Sequence, residues 1–598
     1  MTKSTRSKIT ALRRVMREHE IDAYLVPTTD AHHNEYVPAC WQRRAWVSGF
    51  TGSAGELLVT RNQAVLWTDG RYFLQAEQQL EGSGIQLFKE GEPGVRGVEE
   101  HLRHTMKNGS KVGVDPRVIS MDKAEKLKTE LAEAGATLTF IERNLVDEIW
   151  DDAPDMPTGP IEYLPRQRSG VTTKDKLVMI RAALAERNAD ALIITELDAI
   201  AWTFNIRGTD VAYNPVVIAY AIVFPDDAML FIDEEKVVGD HQRRLSKDVQ
   251  IRPYASIKAE LSALAKRKAR VWLDRDTTNQ WVGKQLARCE LISIQSPIAE
   301  RKAKKNPTEI QGMRNAHIAD GVAMVRFLRW LSDQGSKGTV TEISAQEHLE
   351  ELRAQNENYR GPSFHPIFAF GPHAAIVHYS ATEESNAKIN AGILLMDTGG
   401  QYVDGTTDIT RTVLIGSKPT PDQCRAFTLV LKGHIAVAQA KFPTGVRGMR
   451  LDTLARMHLW NDGKEYAHGT GHGVGAGLSV HEGPQAMSPT RCRGAFLEPG
   501  NIMSNEPGFY AAGKFGIRLE NLVLVIKDDK LSTKEKTWLT FETLTLCPID
   551  RTLIDASLLT ADEQKWLNEY HERVNTTLSP LLEDAADREW LVSACAPL

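Results

Sequence analysis

Long apolar runs are absent from this sequence: none approaches the roughly 18 uninterrupted residues that a membrane-spanning helix needs, so no transmembrane segment is expected. The opening segment MTKSTRSKITALRRVMREHE is charged along its length and lacks the apolar stretch of a secretory signal; it reads as an amphipathic helix. An excess of basic charge is also missing. Seventy-two Lys and Arg face 78 Asp and Glu, for a net charge of -6 and no electrostatic case for nucleic acid. The short basic run Lys302, Lys304, Lys305 reads as a solvated linker. Cysteine is sparse: Cys40, Cys289, Cys424, Cys492, Cys547 and Cys595 are scattered with no CxxC pair. That usage suits reduced thiols, buried as small hydrophobes, in a cytoplasmic protein better than a disulfide framework. No low-complexity segment interrupts the chain.

What is present begins with length. At 598 residues the chain is too long for one hydrophobic core, and three or four domains are expected. Two segments resemble each other, EIDAYLVPTTDAHHNEY from Glu20 and NADALIITELDAIAWTF from Asn188. Asp22 and Asp190, and again Asp30 and Asp198, are both offset by 168 residues. Each copy passes from a helical pattern to Asp-Ala and an apolar strand, then to a glycine-containing loop and further strands. The pattern implies a duplicated mixed α/β domain rather than a solenoid, which needs more repeats. Proline and polar residues collect at 151–165 and 296–309, which predicts domains over 1–155, 156–303 and 304–598. The third opens on a long amphipathic helix, IQGMRNAHIADGVAMVRFLRWL, and ends in a helical extension.

Five residues of the third region stand out: Asp397, Asp408, His472, Glu506 and Glu520. Asp397 ends the apolar run GILLMDTGG, and Asp408 lies in VDGTTDITRT, where a strand would place Asp408, Thr410 and Thr412 on one face. A lone aspartate beside a glycine turn ordinarily serves the turn. The segment HGTGHGVGAG is hostile to a helix. If it runs extended, His468, Thr470 and His472 share one side, while Gly469, Gly471 and Gly473 let another backbone approach on the other. A phosphate-cradling loop is the competing reading, but the run lacks a Walker lysine. Pro507 pushes Glu506 to an extended conformation. In FGIRLENLVLVI an alternating strand would put Arg518 and Glu520 on one face, as a surface pair or with Glu520 bound to metal.

Charge counting makes the combination reasonable. Four carboxylates and a bridging hydroxide nearly neutralise two divalent ions, and such a pair generates hydroxide at neutral pH. Four oxygen-donor residues with one nitrogen favour manganese, with cobalt or zinc as alternatives.

The ordered set Asp, Asp, His, Glu, Glu, with gaps of 11, 64, 34 and 14 residues, resembles the ligand set of the pita-bread metallopeptidases. That family includes methionine aminopeptidase, prolidase and aminopeptidase P. The stretches DAHHNEYVPACWQRRAWVSGFTGSAG, TDGRYFLQAEQQ, HGTGHGVGAGLSVHEGP, NEPGFY and WLNEYHERV are similar to its long, three-domain aminopeptidase P form. The resemblance implies an α/β (α+β) fold of two creatinase-type N-terminal domains followed by a pita-bread domain. It implies cleavage of the first residue from peptides with proline second, two metal ions, and a homodimer. By motif, Asp397, Asp408, His472, Glu506 and Glu520 resemble the metal ligands. His378, His468 and His481 resemble histidines that hold substrate and move protons, and Tyr510 and Arg518 resemble supporting residues. Asp30 and Arg71 are candidates to reach the site from the N-terminal domain, although a structural turn explains both equally well.

Overall fold

A computed structural model describes residues 4–489 and 495–598, so Cys492 lies outside the described residues. The chain forms two compact units, Met1–Pro165 with Val171–Ile298, and Arg166–Gly170 with Ala299–Leu598. Among the described residues no helix is long and apolar enough to cross a membrane. The opening segment is helical over Thr5–Glu18, as its charge pattern predicts.

The first unit holds the expected duplication. Its first copy contains β1 (Ala23–Pro27), β2 (Glu56–Thr60), β3 (Ala64–Thr68), β4 (Gln86–Lys89), β5 (Lys111–Val114) and β6 (Thr137–Phe140) in the order β4-β3-β2-β1-β5-β6. The second contains β7 (Ala191–Ile194), β8 (Ala219–Val223), β9 (Ala228–Ile232), β10 (Gln250–Pro253), β11 (Arg270–Leu273) and β12 (Glu290–Ser293), ordered β10-β9-β8-β7-β11-β12. The two orders are the same. In each, the first strand pairs antiparallel with the second and parallel with the fifth. β1 is buried on both faces: Tyr24 and Val26 enter one apolar cluster, Ala23 and Leu25 another, as period-two alternation requires.

The shared aspartates explain part of the repeat. The Asp22 N–H donates to the Lys111 carbonyl (2.9 Å), and the Asp22 carboxylate accepts from the Lys111 N–H (2.8 Å). Asp190 does the same with Arg270, at 2.8 and 2.7 Å. Each aspartate clasps the start of a central strand to its parallel neighbour. The second matched pair is not equivalent. Asp30 lies outside regular structure and accepts from the N–H groups of His32 and Asn34. Asp198 instead sits in the first turn of the helix Leu197–Phe204. Asp30 and Arg71 have local partners: Asn34 Nδ2 donates to the Asp30 carboxylate, and Arg71 donates to both oxygens of Asp69 at 2.8 and 2.7 Å.

His32 joins the copies. Its Nδ1 lies 2.8 Å from the Thr195 carbonyl, which only accepts, so Nδ1 carries the hydrogen and Nε2 accepts from the Tyr254 hydroxyl at 2.9 Å. Tyr220 packs against the ring at 4.4 Å.

In the second unit, the helix Pro307–Gln334 starts at a capping box in which Asn306 and Glu309 satisfy each other's backbone N–H groups. Three antiparallel strands follow, β13 (Ile367–Phe370), β14 (Gly392–Thr398) and β15 (Ile409–Ile415), with β14 in the middle. A six-stranded sheet comprises β16 (Phe442–Pro443), β17 (Gly471–Gly473), β18 (Glu482–Met487), β19 (Ile502–Asn505), β22 (Asn521–Lys527) and β23 (Trp538–Thr543), ordered β16-β23-β22-β19-β17-β18. A separate hairpin of β20 (Gly508–Ala511) and β21 (Phe515–Arg518) precedes β22. The helices Ala561–Leu578 and Ala585–Ala594 close the chain.

Two expectations are corrected. FGIRLENLVLVI is two strands in different sheets rather than one alternating strand. It breaks at Leu519–Glu520, where the Glu520 N–H donates to the Thr410 carbonyl and leaves the sheet ladder. Nor is the basic run a solvated linker. Lys302 and Lys305 are buried, and both donate to the buried Glu482 carboxylate, Lys302 at 2.7 Å; only Lys304 is exposed, paired with Glu498. Burying two ammonium groups is tolerated because one carboxylate accepts from both.

Burial pushes His32 down to about 4, against the raising effect of its bond to Thr195. Above the unfolded value of about 6.5 both states are neutral. As pH falls towards 4, the unfolded chain gains a proton that native His32 refuses, so stability is lost across that window, by about 3 kcal/mol at most. Thermal midpoints of the wild type and His32→Gln at pH 7 and 4.5 should show a smaller acid-induced drop in the variant. Equal drops would remove His32 as the cause.

Candidate metal centre

The second unit brings the five candidate ligands to one place. Asp397 lies near the end of β14, paired with Ile367 on one side and Thr410 on the other. Asp408 immediately precedes β15, His472 is central in β17, Glu506 follows β19, and Glu520 stands between β21 and β22. Asp408, His472 and Glu520 each offer a ligand atom within 4.8 Å of the others. His472 Nε2 is 3.5 Å from Asp408 and 3.6 Å from Glu506. Three acids are thus drawn around one imidazole.

Local sequence explains each placement. A methyl group at Gly471 would overlap the Ser504 carbonyl, and one at Gly473 the Glu482 carbonyl, so the glycines of HGTGHG admit the neighbouring strands as their alternation predicts. His468 and His472 both approach Glu506, at 3.9 and 3.6 Å. Thr470 instead donates its hydroxyl to Asp452. On β15, Thr410 donates to Glu520 Oε2 at 2.9 Å, and Thr412 to the Arg518 carbonyl at 3.0 Å, which puts both on the cluster side as the alternation implies. Ser504 was not singled out from sequence. Ser504 accepts from the His472 N–H at 2.9 Å, yet nothing distinguishes its hydroxyl from others in the sequence.

Arg518 meets the acids directly. Rather than pairing with Glu520 at the surface, it is buried and donates to Asp397 Oδ2 from Nη2 (2.6 Å) and Nε (3.2 Å), and to the Tyr510 hydroxyl from Nη1 (2.6 Å). Tyr510 also contacts His468 Nε2 at 2.8 Å. His481 packs edge-on to His472 with ring centroids 4.3 Å apart.

The residues fit a metal centre on three grounds. Asp397 Oδ1 is buried with no hydrogen-bond partner. The His472 Nδ1 lies 3.0 Å from the Gly473 carbonyl, so Nδ1 carries the hydrogen and Nε2 keeps its lone pair for a cation. Burial, reinforced by the neighbouring acids, pushes Asp408 and Glu520 well above the usual carboxylate range, and lifts Glu506 to about 7 against the pull of Arg518. One guanidinium offsets one of four acids, and divalent cations supply the charge that protons otherwise provide.

The loop bearing His378 is held by a buried carboxylate that sequence reading missed. Glu342 accepts from Phe370 N–H (2.7 Å), His373 Nδ1 (2.8 Å), the Tyr379 hydroxyl (2.9 Å) and Ala387 N–H (2.9 Å). His378 itself lies half-buried in the turn between these anchors.

Four family models match stretches of the chain. Residues 311–527 match the model of metallopeptidase family M24, and residues 8–147 and 152–309 each match a creatinase/prolidase N-terminal domain. Residues 537–598 match the C-terminal region of the same peptidase family. The chain is 41% identical over 619 residues to a probable Xaa-Pro aminopeptidase P of Coprinopsis cinerea, covering 100% of this chain and 99% of that one. The chain belongs to metallopeptidase family M24. Within the family it is also 41% identical to aminopeptidase P2 of Arabidopsis thaliana, over 99% of this chain and 88% of that protein. The crystal structure of X-prolyl aminopeptidase from Caenorhabditis elegans, described as a cytosolic enzyme with a di-nuclear active site, superposes with a TM-score of 0.96 at 38% identity over 100% of both chains. A Bacillus anthracis Xaa-Pro dipeptidase shares the fold over 63% of this chain and 99% of its own, with a TM-score of 0.51 and 22% identity. The M24 fold expected from sequence, two creatinase-type domains and a pita-bread domain, is the fold observed.

Glu482 adjoins His481 and carries two lysines. Glu482→Gln leaves both ammonium groups buried without their anion and should destabilise the catalytic unit by about 3–5 kcal/mol. Differential scanning calorimetry reads this as a lowered midpoint, and an unchanged midpoint would mean that the lysines find other acceptors.

Proposed function

We propose that this protein is a metal-dependent aminopeptidase that hydrolyses the bond between the first residue of a peptide and a proline in second position. The observation that carries the reading is the end-to-end match to an Xaa-Pro aminopeptidase P, which includes both N-terminal copies and not the catalytic unit alone. Asp397, Asp408, His472, Glu506 and Glu520 would hold two divalent ions, with manganese favoured by four oxygen-donor residues and one nitrogen. Bound there, the metals would act as Lewis acids and lower the pKa of the attacking water.

The remaining steps belong to the chain. Glu506 takes the proton of the attacking water and passes it to the prolyl nitrogen, which as a tertiary amide has no hydrogen of its own. His481, beside His472, donates to the carbonyl oxygen as its carbon becomes tetrahedral, and such a donor contributes about 2.7–4 kcal/mol. His378 and His468 hold substrate carbonyls, with His468 oriented by Tyr510. Arg518 fixes Tyr510 and Asp397 together. The acidic end of the cluster receives the free α-amino group, which restricts cleavage to the first residue.

A cytoplasmic homodimer completes the proposal. The C. elegans enzyme is described as cytosolic, and all five described cysteines are free; the dimer rests on the family resemblance.

Metal-stripped protein should release the first residue from a longer peptide with proline second only after manganese is added. Activity confined to Xaa-Pro dipeptides would make it a prolidase instead, and silence on both would overturn the peptidase reading. Glu506→Gln should retain metal yet lower kcat by about 10²–10⁴-fold; near-normal turnover would remove Glu506 as the proton carrier.

A further inference from the structure

Arg411 is the next residue after Thr410 on β15, and alternation turns it away from the acids that Thr410 faces. It is fully buried, and none of its hydrogen-bond acceptors is a carboxylate. Nη1 donates to the main-chain carbonyls of Thr410 (2.9 Å) and Glu520 (2.7 Å), and Nη2 to Asn521 Oδ1 (2.8 Å). Every other acceptor lies in the C-terminal extension: the carbonyls of Pro548 (3.0 Å) and Cys547 (2.8 Å) and the hydroxyl of Tyr570 (2.9 Å). Tyr570 donates in turn to the Cys547 carbonyl at 2.9 Å and stacks on Trp566 at 5.4 Å.

The network continues behind the second glutamate. Asn521 Nδ2 donates to His434 Nε2 at 3.1 Å, His434 Nδ1 lies 3.1 Å from the Asn505 carbonyl, and Asn505 Nδ2 donates to the His434 carbonyl at 2.9 Å. Asn505 and Asn521 are register partners across β19 and β22. One immediately precedes Glu506, and the other immediately follows Glu520. The backbone at both glutamates is thus fixed from behind by a buried polar layer, and the extension supplies three of the acceptors that hold its guanidinium.

We propose that the C-terminal extension is a positioning element of the metal centre, acting through Tyr570 and Arg411 on the main chain at Glu520. The inference rests on the reading of Glu520 as a metal ligand. A planar guanidinium suits the task because its five N–H groups reach acceptors from three chain segments at fixed angles, which an ammonium cannot. Groups behind a ligand typically change metal affinity or activity by about 10–100-fold when altered. Here part of the hold on that guanidinium comes from Tyr570 in helix Ala561–Leu578, well beyond Glu520 in the sequence.

The test uses full-length protein loaded with manganese and challenged with a competing chelator, with retained metal per chain measured by atomic emission. Tyr570→Phe keeps the ring stacked on Trp566 and should weaken manganese retention by about 10-fold, and Arg411→Lys by up to about 100-fold. Thermal midpoints of the metal-free forms separate this from a merely structural role. Tyr570→Phe should move its midpoint little while losing metal. Variants that melt early but hold manganese as tightly as the wild type would overturn the inference, as would a Tyr570→Phe variant indistinguishable in both readouts. Wild-type protein that takes up no manganese would overturn the reading of Glu520 as a ligand, and this inference with it.

Discussion

Four carboxylates share a buried space with one guanidinium, and that imbalance governs the catalytic unit. Like charges this close repel, and burial removes the water that would screen them. Arg518 meets part of the demand at Asp397; the remainder draws either protons or cations. The strands, glycines and hydroxyls around the cluster keep it from relaxing. β14 and β15 hold the aspartates in register, glycines bring β17 against its neighbours, and Thr410 and Ser504 hold Glu520 and the His472 backbone. The raised pKa values of Asp408 and Glu520 are the electrostatic record of that enforced proximity.

Much of this was legible in the sequence because chemistry and period coincide there. Acids in apolar or glycine-rich strands are conspicuous. The alternation in HGTGHG predicted a close backbone beside the glycines and a shared side for His468, Thr470 and His472; the two histidines meet at Glu506, while Thr470 turns to Asp452. The repeat at Asp22 and Asp190 was equally readable, since the same carboxylate closes the same pair of parallel strands in each copy. The second repeat pair misled, because Asp30 and Asp198 share a local spelling while one stands in a loop and the other begins a helix.

Other features were hidden by sequence distance. Lys302 and Lys305 looked like a solvated run because their partner, Glu482, is about 180 residues away. FGIRLENLVLVI alternates cleanly, yet the hydrogen bonds that break it at Glu520 come from Thr410 and Arg411 on another strand. Glu342 and Arg411 carry no local signal at all, because a buried charge that holds backbone from several segments is defined only once those segments meet.

The grip of Glu342 on the His378 loop has a thermodynamic consequence for ligand capture. Four donors between Phe370 and Ala387 converge on one buried carboxylate, so this segment is ordered when the chain folds and not when a ligand arrives. A segment already fixed contributes little conformational entropy loss to association. Were His378 to hold substrate, as proposed above, its imidazole would do so from backbone already fixed.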